Sequence, residues 1–141
     1  MVLSNQYKDC VPFIPDITSG KVIKVYDGDT ITIASKLPYD ASPLYRWSVR
    51  LKGIDSPEMK SKNKSEKECA RIAQKTLSDF IFEKEVELRN VQMEKYGRIL
   101  ADVYCENINL STFMLAKRLA VPYDGKTKKC PENWIEFYCK E

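Results

Sequence analysis

Tyr45-Arg46-Trp47-Ser48-Val49-Arg50-Leu51-Lys52, followed at once by Gly53-Ile54-Asp55-Ser56-Pro57-Glu58, is the stretch from which the fold can be read. Its first half alternates strictly. Successive side chains of a strand point to opposite faces, so Tyr45, Trp47, Val49 and Leu51 share one side and Arg46, Ser48, Arg50 and Lys52 the other. One apolar and one basic face predict a half-buried strand over 45–51, with Tyr45 and Trp47 in the core and the basic side open to a ligand. Gly53 and Pro57 then turn the chain.

Toward the N-terminus, residues 20–26 and 30–35 are rich in β-branched side chains and are separated by Asp27-Gly28-Asp29. An Asp-Gly between two such runs signals a hairpin. Ile31 and Ile33 point one way from the second strand, Thr30 and Thr32 the other. Residues 36–44, with Pro38, Asp40 and Pro43, read as a loop.

Toward the C-terminus, 59–64 is a polar, basic loop. Ser65 and Glu68 match a capping box. Ala70, Ala73, Leu77, Phe80 and Ile81 recur at helical spacing, which predicts a helix over 65–83. Strands are expected at 85–91 and 99–105, joined through 94–98. A shorter helix follows over 111–120 with Leu115 and Leu119 on one side, and Pro131 opens a final helical turn through Trp134, Phe137 and Tyr138. Three strands, a helix, two strands and a helix predict an α+β fold that is mainly β: a five-stranded OB-type barrel with two to three helices. Residues 1–19 read as an N-terminal extension to a domain over 20–141, either an extended leader packed on it or a loose arm.

The 141 residues fit one domain. A chain of this size buries roughly 68% of its unfolded surface, so neither disulfides nor a structural metal is needed to complete a core. The net charge of +3 permits a polyanionic partner without arguing for one. There is no histidine. Ser-His-Asp triads, His-based zinc proteases and any histidine general acid are excluded, and acid–base work falls to Asp, Glu, Lys, Tyr or Cys. The five cysteines are odd in number and contain no C-x-x-C pair, which argues against a zinc cluster and leaves them as small hydrophobes. Residues 1–9 lack an apolar core of the signal-peptide kind, and no apolar run approaches ~20 residues. The expectation is an intracellular, reducing location, no membrane span, and by default a monomer.

Three segments concentrate charge where loops meet strands: Asp27-Gly28-Asp29-Thr30, Arg50 to Glu58, and Lys95-Tyr96-Gly97-Arg98. Each alone is weak, and D-G-D is often only a turn. Together and in this order they resemble the staphylococcal nuclease family, whose D-G-D-T, R-L-x-x-[IV]-D-[ST]-P-E and K-Y-G-R signatures all occur here. The resemblance runs from about residue 21 to 126.

It implies a calcium-dependent nuclease acting on DNA and RNA with broad sequence specificity and leaving 3′-phosphates. Asp29 and Asp55 match the family's calcium ligands, with the Ser56 carbonyl as a third oxygen and Asp27 close behind. Calcium takes six to eight oxygens, so water and substrate phosphate would supply the rest. Glu58 matches the general base. A carboxylate is ionised but a weak base at neutral pH, so an alkaline optimum is expected. Arg50 and Arg98 match the arginines that grip the scissile phosphate, a task suited to a planar fork that stays charged. Lys95 and Tyr96 resemble residues holding the flanking phosphate, and Tyr123 falls where the family stacks a base. Lysines 60–67 read as a solvated loop. The family usually continues into a long third helix where this sequence has a short tail; the expectation is that the leader 1–19 covers that surface. A second reading is a non-catalytic nucleic-acid-binding module. Domains of that kind usually lose the arginines or acidic ligands, which this sequence keeps.

Overall fold

The computed structural model describes residues 6–127 and 129–140; residues 1–5 of the expected N-terminal extension, and 128 and 141 of the expected domain, lie outside the described residues. After a short 3-10 turn at Tyr7–Asp9 the order is β1 (Ser19–Val25), β2 (Thr30–Lys36), β3 (Leu44–Leu51), β4 (Ile54–Asp55), α1 (Lys64–Ile81), β5 (Glu85–Met93), β6 (Ile99–Cys105), β7 (Ile108–Asn109), α2 (Leu110–Ala116), β8 (Val121–Pro122) and α3 (Trp134–Cys139).

Alternation builds the barrel. The strands lie in the order β3-β2-β1-β5-β6, and β3 also pairs with β6 in parallel, from Val49 opposite Ile99 to Leu51 opposite Ala101. That pairing closes five strands on themselves, as the order of elements predicted, and removes the free edges an open sheet would present. The inward side chains, among them Val22, Ile31, Ile33, Val49, Leu51, Val86, Leu88, Ile99 and Val103, are buried. Each fully buried aliphatic side chain of this kind stabilises the fold by about 1.5–3 kcal/mol. Helix α1 caps the barrel with Ala73, Leu77 and Ile81, while its Cys69 packs with Val121 and Trp134 in a second, smaller cluster. Its Phe80 meets Phe113 of α2 with ring centroids 4.9 Å apart.

Several expectations are corrected. The cap of α1 is Asn63, whose Oδ1 accepts the Glu66 N–H at 3.1 Å. Ser65 lies inside the helix, and its hydroxyl instead donates to Asn133 Oδ1 at 2.8 Å and accepts the Ile135 N–H at 3.2 Å, tying α1 to α3. Helix α3 starts after its own cap, Asn133, rather than at Pro131. Helix α2 ends at Ala116, short of the expected 120, and Arg118 takes the left-handed conformation just beyond it. The two-residue strands β4 and β8 pair with each other, Ile54 opposite Pro122 and Asp55 opposite Val121, a contact the alternation rule is too coarse to find.

Tyr45 is not a core residue. It is 38% exposed and packs edge-on against the half-buried Trp47, whose Nε1 donates to Ser35 O. At the other end of β3, Arg50 is only 8% exposed, so it does not lie on an open face. There β3 is held between β2 and β6, and both sides of the strand are covered. Nor, among the described residues, does the leader cover a vacated surface. Pro15 and Ile17 are buried, but residues 6–14 are exposed, including Tyr7, Val11 and Phe13. Among the described residues, no helix is long and apolar enough to cross a membrane.

The β1–β2 hairpin is present, but its glycine serves another purpose than the turn signal suggested. The left-handed glycines are Gly53, Gly97 and Gly125. Gly28 is needed for space: a Cβ there would stand 2.9 Å from both Ala73 Cβ and Ser56 Cβ. Both of those atoms are fixed to backbone, so overpacking should cost about 1–3 kcal/mol. Gly28→Ala is therefore expected to lower the urea midpoint of unfolding with an unchanged m-value, whereas Gly53→Ala, which meets no neighbour, should lose stability through backbone strain alone.

Candidate active site

Arg50 organises one end of the barrel. Its Nη1 donates to the carbonyls of Leu51 at 3.1 Å and Ile54 at 2.8 Å, which fixes the plane of the guanidinium. The same Nη1 lies 3.4 Å from Asp29 Oδ2, and Nη2 lies 3.5 Å from Asp55 Oδ1. Asp29 arrives from the β1–β2 turn and Asp55 from β4, so the cation joins two segments that the chain brings in separately.

Both carboxylates are buried, and each is further satisfied. Asp29 Oδ1 accepts the Thr30 hydroxyl and Oδ2 the Ser56 N–H, both at 3.0 Å. Asp55 Oδ2 receives the Cys130 thiol at 3.6 Å. Cys130 is thus a polar neighbour of the cluster, and like Cys10 and Cys139 it is exposed; only Cys69 and Cys105 behave as buried hydrophobes. Burial opposes the Asp29 anion, but the Arg50 charge and the hydrogen bonds from Asp27, Ser56 and Thr30 outweigh it and hold its carboxyl below the ordinary value. Asp27 goes the other way. Burial, the Asp29 charge and a shared hydrogen bond push it from 3.8 to about 7, against the Asp29 N–H and Arg50.

Arg98 reaches the cluster from the β5–β6 connection. Its Nη1 donates to Thr30 Oγ1 at 3.4 Å. Its Nε and Nη2 grip Glu94 as a bidentate pair, which raises its basicity further. On the far side of Arg50 a groove is lined by Lys52, Lys95, Tyr96, Tyr123 and Asp124, among others. Tyr123 is half-buried with its ring centroid 5.8 Å from Arg50 Cζ, and Tyr96 is 77% exposed with Lys95 Nζ over its ring.

Glu58 is exposed on the turn after Pro57, and its N–H is held by Glu66 Oε2 at 2.9 Å. Sequence reasoning also missed Glu94, which orients Arg98, and the bridging role of Thr30. The Glu94 and Arg98 spacing of four was legible as an ion pair, but the chain there forms no helix that would have prompted it.

The donor set fits a hard cation. Asp29 and Asp55 already face one positive charge, and Ser56 beside them has a buried hydroxyl with no partner among the described residues. All the groups are oxygens, as calcium or magnesium prefers. Among the described residues no three His, Cys, Asp or Glu side chains are grouped to hold a metal ion, so a cation here would have to take its further ligands from other oxygens.

A closed five-stranded barrel with an acid–arginine cluster at the β1–β2 turn defines a small OB-type barrel protein with a polar site at one end. The staphylococcal nuclease homologue family model matches residues 48–139, and the chain belongs to the staphylococcal nuclease family. A Haemophilus influenzae protein named as an uncharacterized endonuclease is 35% identical over 103 residues, 73% of this chain and 51% of its own length. An Escherichia coli protein of the same description is 31% identical over 106 residues, 74% and 61% of the two chains. A Shigella flexneri protein named micrococcal nuclease is 32% identical over 127 residues, 84% and 66%. The chain therefore spans from half to just under two thirds of the length of these relatives.

The shifted Asp27 has a consequence for stability. Its folded-state pKa lies above the unfolded value, so the folded chain keeps a proton that the unfolded chain releases between about pH 4 and 7. Its contribution therefore falls as pH rises through that window. Asp29, shifted down, contributes above the ordinary carboxylate range and loses that contribution as pH falls. Asp27→Asn keeps an acceptor for the Asp29 N–H and adds a permanent donor toward the Asp29 carboxylate. In chelator, thermal melts should show this variant gaining over the parent chain at pH 8 and not at pH 4.

Proposed function

We propose that the protein is a calcium-dependent nuclease that hydrolyses phosphodiester bonds of DNA and RNA with broad sequence specificity. The observation that carries this reading is the buried Asp29–Arg50–Asp55 cluster beside a groove lined by Lys95, Tyr96 and Tyr123, with Arg98 tied to the cluster through Thr30. The names of the relatives support it. The catalytic domain on this reading is 20–141, with 1–19 as an extension.

Asp29, Asp55 and the Ser56 carbonyl would hold the cation, which when bound supplies positive charge at the attacked phosphate. Arg50 and Arg98 donate to the equatorial oxygens as charge builds there, a form of stabilisation worth about 10²–10³ per donor in comparable sites. Leu51 and Ile54 carbonyls keep Arg50 in plane, and Glu94 keeps Arg98 from swinging into solvent. Glu58 takes the proton of the attacking water, and its exposure on the Pro57 turn leaves room for that water. Lys95 and Tyr96 hold the next phosphate, and the Tyr123 ring accepts a base.

Incubation with single-stranded DNA at pH 9, with calcium and with chelator, tests the reading. Cleavage should require the cation. Glu58→Gln should lower the rate by about 10²–10⁴. Arg98→Lys keeps the charge but not the fork and should lose about 10²-fold. Salt-sensitive binding without cleavage in the parent chain would instead make the protein a nucleic-acid-binding module.

A further inference from the structure

The site has a second approach, which meets it at Thr30 and Arg98. β1 and β2 pair regularly up to Val22 opposite Ile33, then slip by one residue, so that Lys24 stands opposite Thr32 and Val25 opposite Ile31. Without that bulge Ile23 would face Thr32, and Lys24 would join the inward register with the fully buried Ile31. A bulge inserts one residue and re-aims the side chains that follow it. Here it turns Lys24 outward while Val25 stays in the core.

Outside the barrel, Lys24 and Thr32 meet the next strand at Ser48, which is paired with Thr32, and at Arg46, one pair further along β3 on the same face. Two shallow depressions run along this surface and share Lys24, Thr32 and Ser48. One also takes in Arg46. The other takes in Tyr26, Thr30 and Arg98, and so opens onto the catalytic cluster. Among the described residues no acidic side chain lines either depression. Among the described residues neither Lys24 nor Arg46 has a carboxylate within ion-pair distance, whereas Arg50, Arg89 and Arg98 all do. Tyr26 is 45% exposed, with Lys24 Nζ 5.9 Å from its ring centroid.

A row of unneutralised cations and hydroxyls beside an exposed aromatic ring matches single-stranded nucleic acid. Cations and hydroxyls follow the phosphates, and the ring accepts a base whatever its identity. We propose that the outer face of β1–β2–β3 is a strand track, in which Lys24 and Arg46 bind the phosphates and Tyr26 a base on the side of the scissile phosphate opposite to Lys95, Tyr96 and Tyr123. The inference rests on the nuclease reading and extends it: the substrate is a strand several nucleotides long that crosses the cluster, gripped on both sides.

Binding of a fluorescent 12-nucleotide single strand and of a trinucleotide, in chelator and over a range of salt, tests it. Lys24→Ala/Arg46→Ala should weaken 12-mer binding about tenfold. It should also reduce the salt slope by about 1.4, as two lost phosphate contacts on a single strand require. Tyr26→Ala should weaken 12-mer binding about fivefold or more while leaving the slope unchanged, because stacking releases no counterions. Trinucleotide affinity should change less than twofold in each. These side chains are exposed, and matching thermal midpoints will show that the variants fold. If the parent chain cleaves DNA and the double variant binds the 12-mer with the parent affinity and slope, the track is wrong and the nuclease reading stands. If the parent chain neither cleaves nor binds, both are wrong.

Discussion

Everything at the functional end of this barrel depends on one guanidinium. Arg50 is taken out of water along with Asp29 and Asp55, and desolvating three charges is costly unless each is fully paired and hydrogen-bonded. The surroundings meet that demand group by group. Two carbonyls accept from Arg50, a backbone N–H and a hydroxyl donate to Asp29, and a thiol donates to Asp55. Removing Arg50 would take the cation from two buried carboxylates at once. The cluster is therefore rigid, which is what a site needs if it is to stabilise charge without reorganising.

Rigidity at the centre contrasts with exposure around it. Arg98 is partly exposed and restrained by Glu94, Tyr96 is largely in solvent, and Glu58 is exposed with its N–H held by Glu66. A fixed electrostatic core with adaptable side chains at its rim suits a long, flexible polyanion. On the proposed reading, orientation would come from the core and affinity from many weak contacts spread along the strand.

The barrel was legible because its strands alternate cleanly: β6 runs buried and half-buried in turn, as Ile99, Ala101, Val103 and Cys105 required. The charged residues were legible as three short motifs. Burial was harder to read. Alternation placed Tyr45 and Arg50 on opposite faces, which is right, but it could not know that one end of β3 is paired on both sides while the other runs out into solvent. Tyr45 thus came out exposed and Arg50 buried. The β4–β8 pair and the close approach at Gly28 are contacts between segments distant in sequence, and local pattern carries no trace of them; the Glu94–Arg98 pair is local, but its spacing of four suggests a pair only on a helix, which the chain does not form there. The cap of α1 was misread for a simpler reason. Asn63 and Ser65 are both good caps with a glutamate three residues on, and the choice was decided by Asn133 engaging the serine hydroxyl.

The parallel pairing of β3 with β6 has a kinetic side. Arg50 sits opposite Leu100 in that ladder, and the cluster's carboxylate strand β4 is pinned by β8 some sixty-six residues further on, the distance from Asp55 to Val121. Loops that long close slowly, because the entropy of bringing their ends together is lost before any contact repays it. The local β1–β2 and β2–β3 hairpins need no such closure. On the ribosome, a chain that has emerged only through β5 already has every hairpin it needs for β1–β3, yet its two acids and its arginine have no enclosing wall. If assembly follows loop length, the charge cluster would stay open to water until the last strands arrive.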